Sequence, residues 1–140
     1  MGARGDRHEA IREIVRASQV GTQSALADAL GERGFDVTQA TVSRDIAEMD
    51  LRKSDGAYVV PEDLRLSQMV RSLVRSVARA GNQVVVRTEP GAASSVAAAI
   101  DAAAPAGVLG TIAGDDTIFV VAATQEDGAR VEAEISARKS

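Results

Sequence analysis

The sequence predicts a two-domain α/β protein: an N-terminal winged helix-turn-helix followed by an α-β-α-β-β-α domain. Three observations predict it. The first sixty residues hold three helix-spaced apolar patterns, two of them opened by a threonine, and then an Asp-Gly turn between short extended runs. The second half alternates short apolar runs of strand length with amphipathic helical stretches. Between the halves, Pro61-Glu62-Asp63 interrupts the pattern as a polar connection. The boundary is placed at residues 61–66, giving domains 1–63 and 64–140.

Residues 7–17 carry Ile11, Ile14 and Val15 at helical spacing, a first amphipathic helix that ends at 18–21. Thr22 is an N-cap for a second helix with Leu26 and Leu30 at i, i+4. Gly34 is placed to end that helix in the left-handed conformation, with Phe35 packing behind it. After Asp36-Val37, Thr38 caps the stretch 38–49, TQATVSRDIAEM. This helix has two dissimilar faces. Val42, Ile46 and Met49 fall on one side and ask for a core. Ala40, Ser43, Arg44 and Ala47 gather on the other, small and lightly polar with one guanidinium, as a helix needs to approach a DNA groove closely. Three helices with a short second turn make a helix-turn-helix. Asp55-Gly56 between 51–54 and 57–60 then signals a hairpin, or wing, with Arg52 and Lys53 on its first strand.

In the second half, 67–81 reads as one helix with Val70, Leu73, Val74 and Val77 on a single face. Arg71, Arg75 and Arg79 then repeat at i, i+4, i+8, a solvated row, one that pairs with carboxylates across an interface, or a second nucleic-acid surface. Val84-Val85-Val86 is a buried strand ended by Pro90-Gly91, and 92–104 is a helix with Val96 and Ile100 inward. Two further strands, 107–113 and 117–123, are each apolar enough to be covered and are joined by Gly114-Asp115-Asp116. An amphipathic helix over 125–139, through Val131 and Ile135, closes the chain.

The totals constrain function. Apolar content is 45% but aromatics only 2%, so the core is aliphatic, and domains this small gain from burial between subunits. An oligomer is expected. With no cysteine there is neither a disulfide framework nor thiolate metal ligation. No run approaches the ~20 apolar residues of a membrane span, and the chain reads as soluble and cytoplasmic. The net charge is −4. Residues 1–63 hold eight Lys/Arg against twelve Asp/Glu, while residues 64–140 hold eight of each. The half with the DNA-binding pattern is therefore the acidic one. A single copy should bind DNA weakly, because phosphate neutralisation supplies most non-specific affinity.

Asp115 and Asp116 sit side by side in an otherwise apolar stretch, GTIAGDDTIF. Neighbouring carboxylates repel unless a cation or solvent compensates them. A guanidinium fork or a divalent cation would serve. Asp101, on the preceding helix, could bring a third carboxylate to the same end of the domain. Catalysis is harder to assemble. The only histidine, His8, reads as an ordinary surface or capping residue, and neither H-E-x-x-H nor a phosphate-cradling glycine loop is present.

Taken together, GERGFDVTQATVSRDIAEM at 31–49, PGAA at 90–93, Ile100-Asp101 and LGTIAGDDTIFVV at 109–121 make the chain resemble the bacterial arginine repressor family over about residues 7–138. The resemblance implies an N-terminal winged helix-turn-helix with Ser43 and Arg44 in the family's DNA-contacting Ser-Arg motif. Gln39, Arg52 and Lys53 join them as candidate DNA-binding residues. It implies a C-terminal domain that forms trimers, two of which stack into a homohexamer with L-arginine, the co-repressor, at the trimer–trimer interface. Asp115 and Asp116 inherit the role of holding arginine, and Asp101 matches the acid on the preceding helix. Where many members have Gln shortly after Pro-Gly-Ala-Ala, this chain has the shorter Ser94, and that contact is not carried over. The expected function is arginine-dependent repression of arginine biosynthesis genes from double-stranded operator DNA, with no catalysis and no metal. The alternatives are a regulator sensing another amino acid, a metal-dependent hydrolase built on the three aspartates, and a DNA-architectural protein.

Overall fold

The computed structural model describes residues 2–140. The chain divides into two compact units, Met1–Leu64 and Arg65–Ser140, each with its own aliphatic core. The first unit holds α1 (Ala3–Ala17), α2 (Gln23–Glu32), α3 (Gln39–Glu48) and a hairpin of β1 (Arg52–Ser54) and β2 (Ala57–Val59). Helix α4 (Pro61–Leu73) runs across the junction. The second unit continues with β3 (Val74–Ala80), β4 (Gln83–Thr88), α5 (Ala93–Ala103), β5 (Val108–Ala113), β6 (Thr117–Ala122) and α6 (Gln125–Ala137).

In the first unit the caps are where the sequence puts them. The Thr22 hydroxyl accepts from the Ala25 N–H and the Thr38 hydroxyl from the Thr41 N–H, each satisfying an amide that the first helical turn leaves orphaned. Past the end of α2, Gly34 turns left-handed at φ 91°. The Gly34 N–H then donates to the Gly31 carbonyl and the Phe35 N–H to that of Leu30, the paired bonds that close a helix C-terminus. Ile11, Ile14, Leu26, Leu30 and Val42 meet in the core. The hairpin turns through Asp55 and Gly56, both at positive φ, as a two-residue turn requires. Its second strand is tied down by the Tyr58 N–H, which donates to the Val20 carbonyl at 2.8 Å.

Two expectations are corrected. Pro61-Glu62-Asp63 is not a polar connection but the first turn of α4. Proline has no N–H to leave unsatisfied there, and acids suit the positive end of a helix. The helix expected over 67–81 stops at Leu73, and residues 74–80 form strand β3. Gly81-Asn82 makes a two-residue turn, so that β3 pairs antiparallel with β4, Val77 opposite Val86 and Ala80 opposite Gln83. The second unit thus has the order α-β-β-α-β-β-α, and the arginine row is divided between a helix and a strand. Arg75 pairs with Glu89 and Arg79 with Glu132.

The sheet order is β3-β4-β6-β5, antiparallel throughout. Val84 and Val86 of β4, with Ile118 and Val120 of β6, pack against Val96 and Ile100 of α5 and Val131 and Ile135 of α6. All the helical cover lies on that face. The alternate residues point the other way, and Leu109, Ile112, Phe119 and Val121 are 72%, 76%, 53% and 37% exposed. Strands β5 and β6 are therefore covered on one side only.

Gly128 lies in α6 against the β3–β4 turn. A Cβ there would stand 2.7 Å from the Gly81 carbonyl oxygen and 3.1 Å from Asn82 Cα, backbone atoms that cannot rotate away. Alanine gains about 1 kcal/mol in helix propensity over glycine, whereas overpacking costs typically 1–3 kcal/mol. Gly128→Ala is expected to lose a net ~1 kcal/mol, measured as a lower urea midpoint by far-UV circular dichroism. A raised midpoint would show that the turn yields.

Candidate functional site

The two faces of α3 separate as the sequence requires. Val42 is buried and Ile46 and Met49 are partly so, while Gln39, Ala40, Ser43, Arg44 and Ala47 are exposed. Gln39, in the first turn, donates through Nε2 to Gln23 Oε1 at 3.4 Å. On the hairpin, Arg52 is bound by the Asp50 carboxylate at 3.2 and 3.3 Å, which holds it charged. The Lys53 ammonium lies 5.3 Å above the Tyr58 ring.

A census of charge in this unit singles out two residues. Arg4 pairs with Glu48, Arg7 with Asp45, Arg12 with Glu9, Arg16 with Asp63, Arg33 with Glu13 and Arg52 with Asp50. Among the described residues of this unit, only Arg44 and Lys53 are left without a carboxylate partner. One stands on the outer face of α3 and the other on the hairpin, so the uncompensated cations of an acidic unit fall on two of the elements expected to meet phosphates.

Asp45 was not legible in the sequence. It is 1% exposed, the one buried charged side chain among the described residues. Arg7 of α1 forks onto it, Nε to Oδ2 at 2.5 Å and Nη2 to Oδ1 at 2.9 Å, and His8 Nε2 lies 2.9 Å from Oδ1. His8 also stands 3.5 Å from Glu48. His8 is thus an interhelical partner rather than an ordinary surface or capping residue. His8, Asp45 and Glu48 are spaced closely enough to surround a cation, but the Arg7 fork already compensates Asp45.

In the second unit, Asp115 and Asp116 occupy the β5–β6 turn. The Asp116 carbonyl accepts from the Thr88 N–H at 2.8 Å and the Asp115 carbonyl from the Ala93 N–H at 3.2 Å, which pins the turn beside the start of α5. Asp116 Oδ1 accepts from the Thr117 hydroxyl at 3.0 Å, and Oδ2 faces Arg87 Nη2 at 3.4 Å. The Thr117 bond lowers the Asp116 carboxyl pKa; desolvation opposes this in part, and the Arg87 guanidinium lowers it further. Ser94 is exposed in the first turn of α5. Asp101 does not reach this turn. It lies eight residues beyond Ala93 on α5, about 12 Å along the helix, and accepts from the Thr111 hydroxyl at 3.0 and 3.1 Å. Within one chain the three aspartates do not form a single cluster.

Three helices and a hairpin that present Ser43, Arg44 and Lys53, followed by a separate α/β unit with a carboxylate turn, define a DNA-binding regulator with a second domain of different architecture. The comparisons name the family. Residues 3–66 match the model of the arginine repressor DNA-binding domain and residues 70–137 that of the arginine repressor C-terminal domain. The chain is 45% identical to the arginine repressor of Thermus thermophilus, covering 97% of this chain and 90% of the relative. It is 43% identical to that of an Anaeromyxobacter species, over 93% and 85%, and 44% identical to that of Carboxydothermus hydrogenoformans, over 86% and 88%. The chain belongs to the arginine repressor family, whose members are DNA-binding regulators and not enzymes.

Burial by itself would raise the Asp45 carboxyl pKa, but the bonds from Arg7 and His8 and the positive charge beside it outweigh burial and hold it below the ordinary value. The folded pKa is thus lower than the unfolded one, about 3.9. Its contribution to stability is complete above the unfolded value and is lost as pH falls through the folded value. Tyr58 is the only tyrosine, there is no tryptophan, and Tyr58 lies in the core of the first unit, so tyrosine fluorescence reports on this unit alone. Asp45→Asn is expected to cost roughly 3 kcal/mol at neutral pH, the lower end for breaking a buried pair. The gap from wild type should narrow below pH 4; a gap constant with pH would contradict the assignment.

Proposed function

We propose that this chain is an arginine-dependent repressor of arginine biosynthesis genes, acting in the cytoplasm on double-stranded operator DNA as a homohexamer. L-arginine is the co-repressor, held chiefly by Asp115 and Asp116. The observation that carries the reading is that one hairpin, β5–β6, bears both the adjacent carboxylates and the uncovered apolar side chains Ile112 and Phe119. Burying a large apolar side chain is worth about 1.5–3 kcal/mol, which favours assembly through this face. Carboxylates gathered at the rim of the assembly oppose it by repulsion. A ligand guanidinium offsets that repulsion and therefore binds the assembled state more tightly, the differential affinity that couples a ligand to an oligomer. Asp101, distant from the turn within one chain, joins the site only from another subunit.

Assembly also resolves the weakness of the acidic DNA-binding unit. Several linked copies of α3, each presenting Gln39, Ser43 and Arg44 with Arg52 and Lys53 on the wing, bind one operator at high effective concentration.

Sedimentation velocity against a panel of amino acids tests the reading. Arginine, but not lysine, citrulline or glutamine, is expected to stabilise a hexamer, and Asp116→Asn should raise the arginine concentration required at least tenfold while leaving the circular dichroism spectrum unchanged. An equal response to every amino acid, or to none, would refute it. A second measurement addresses the apolar face: Ile112→Glu should shift the protein toward smaller species even at saturating arginine, without loss of secondary structure. Unaltered sedimentation would place the interface elsewhere.

A further inference from the structure

The charged ladder between α1 and α3 has no role in the readings above, and its energetics call for one. Asp45 is withdrawn from water, and a buried ion pair is on average no more stabilising than apolar side chains of the same volume. An aliphatic residue at position 45, facing another on α1, would hold the helices together at least as well. What an aliphatic contact lacks is direction. The α3 helix is only ten residues long and packs chiefly on α2. Of its apolar anchors Val42 alone is fully buried, while Ile46 and Met49 are partly so. Such contacts tolerate rotation about the helix axis. The planar two-point fork of Arg7 on Asp45 does not.

We propose that Arg7, His8 and Asp45 are positioning residues for DNA reading: their bonds fix the rotation of α3 about its own axis and so aim Ser43 and Arg44. This rests on the reading of α3 as the groove-contacting helix. Asp45 directly follows Arg44, so its anchorage determines where the guanidinium points. A rotation of roughly 20° sweeps a side chain at a radius of ~5–6 Å through about 2 Å, more than a hydrogen bond to a base edge tolerates. Glu48, one turn further along α3, meets His8 and Arg4 at 3.5 and 3.3 Å. This second rung resists sliding along the axis.

The test compares sequence discrimination with stability in the full-length chain at saturating L-arginine. A duplex is selected from a randomised pool by the wild-type protein, and its affinity is compared with that of a scrambled duplex of equal composition at one salt concentration. The variant Arg7→Met, His8→Leu, Asp45→Leu removes one positive and one negative charge, leaving the formal net charge unchanged, so attraction to phosphate is preserved. Its tyrosine-fluorescence unfolding midpoint should equal or exceed that of wild type. Its affinity for the selected duplex should fall at least tenfold, with less than a twofold change on the scrambled one. A retained affinity ratio would overturn the proposal.

Should the triple variant fail to fold, Arg7→Lys decides. It keeps the charge but not the fork, and a loss of about threefold in the ratio, with little change in midpoint, is expected. A midpoint that falls while the ratio holds would mark the ladder as structural only. If the wild-type protein enriches no duplex, the reading of α3 itself fails, and the positioning role with it.

Discussion

A four-stranded sheet with helices on one face is an unfinished structure. Ile118 and Val120 of β6 lie under α5 and α6, while Phe119 and Val121 alternate to the other side and stay in contact with solvent. The period of two along a strand makes this unavoidable: a strand apolar at every position must be covered twice or leave one set of side chains in water. The apolar exposed set is therefore a constraint on the state in which the protein works, and the proposed assembly is its resolution. Because the hairpin carrying those side chains also carries Asp115 and Asp116, whatever covers the face must accommodate the carboxylates.

The acidic balance of the first unit looks different once the pairs are drawn. Six of its twelve carboxylates are engaged by cations of the same unit. Six of the eight cations each meet an acid across a helix pair or a turn, and these pairs hold α1 to α2, to α3 and to the start of α4. Apart from the buried Arg7–Asp45 fork, these exposed pairs contribute little each, about 0–1 kcal/mol. Their consequence is distribution: positive charge is consumed within the fold except at Arg44 and Lys53. A net charge of −4 thus coexists with two uncompensated cations on α3 and the hairpin, and in the proposed assembly affinity would come from number of copies rather than from charge density.

Local chemistry was legible and long-range chemistry was not. Thr22, Thr38 and Asp55-Gly56 act on residues within three or four positions of themselves, so caps and turn follow from sequence. The two-sided character of α3 follows from its period. Residues 74–80 were misread because Val74 and Val77, three apart, fit a helical period and not an alternating one; in the strand a register shift between Val74 and Ser76 breaks the alternation. What selects the strand is pairing with β4 through the Gly81-Asn82 turn, a two-residue hairpin signal lying in the chain beside an apparently good helix. Pro61 was misread as opening a polar connection, although proline suits the first turn of a helix. Asp45 could not have been found by any local rule. Its burial depends on Arg7 and His8, 38 and 37 residues away, and on its own it reads as one more polar residue of an exposed helix.

The carboxylate turn shows the same division between what one chain holds and what an assembly would add. Arg87 already offers Asp116 a guanidinium, yet at 3.4 Å with both groups substantially exposed. A pair of that kind is screened by water and salt and is readily exchanged. A free arginine would meet the same carboxylate at a rim closed by a second subunit, where less water competes and where Asp115, which accepts no side-chain bond among the described residues, adds a second acceptor. The internal cation thus keeps the turn from being strongly repulsive in the single chain without blocking it. In the proposed assembly the balance between the two guanidinium groups would change sign only once the apolar face is covered, which would make the Gly-Asp-Asp turn a sensor of ligand and assembly together rather than of ligand alone.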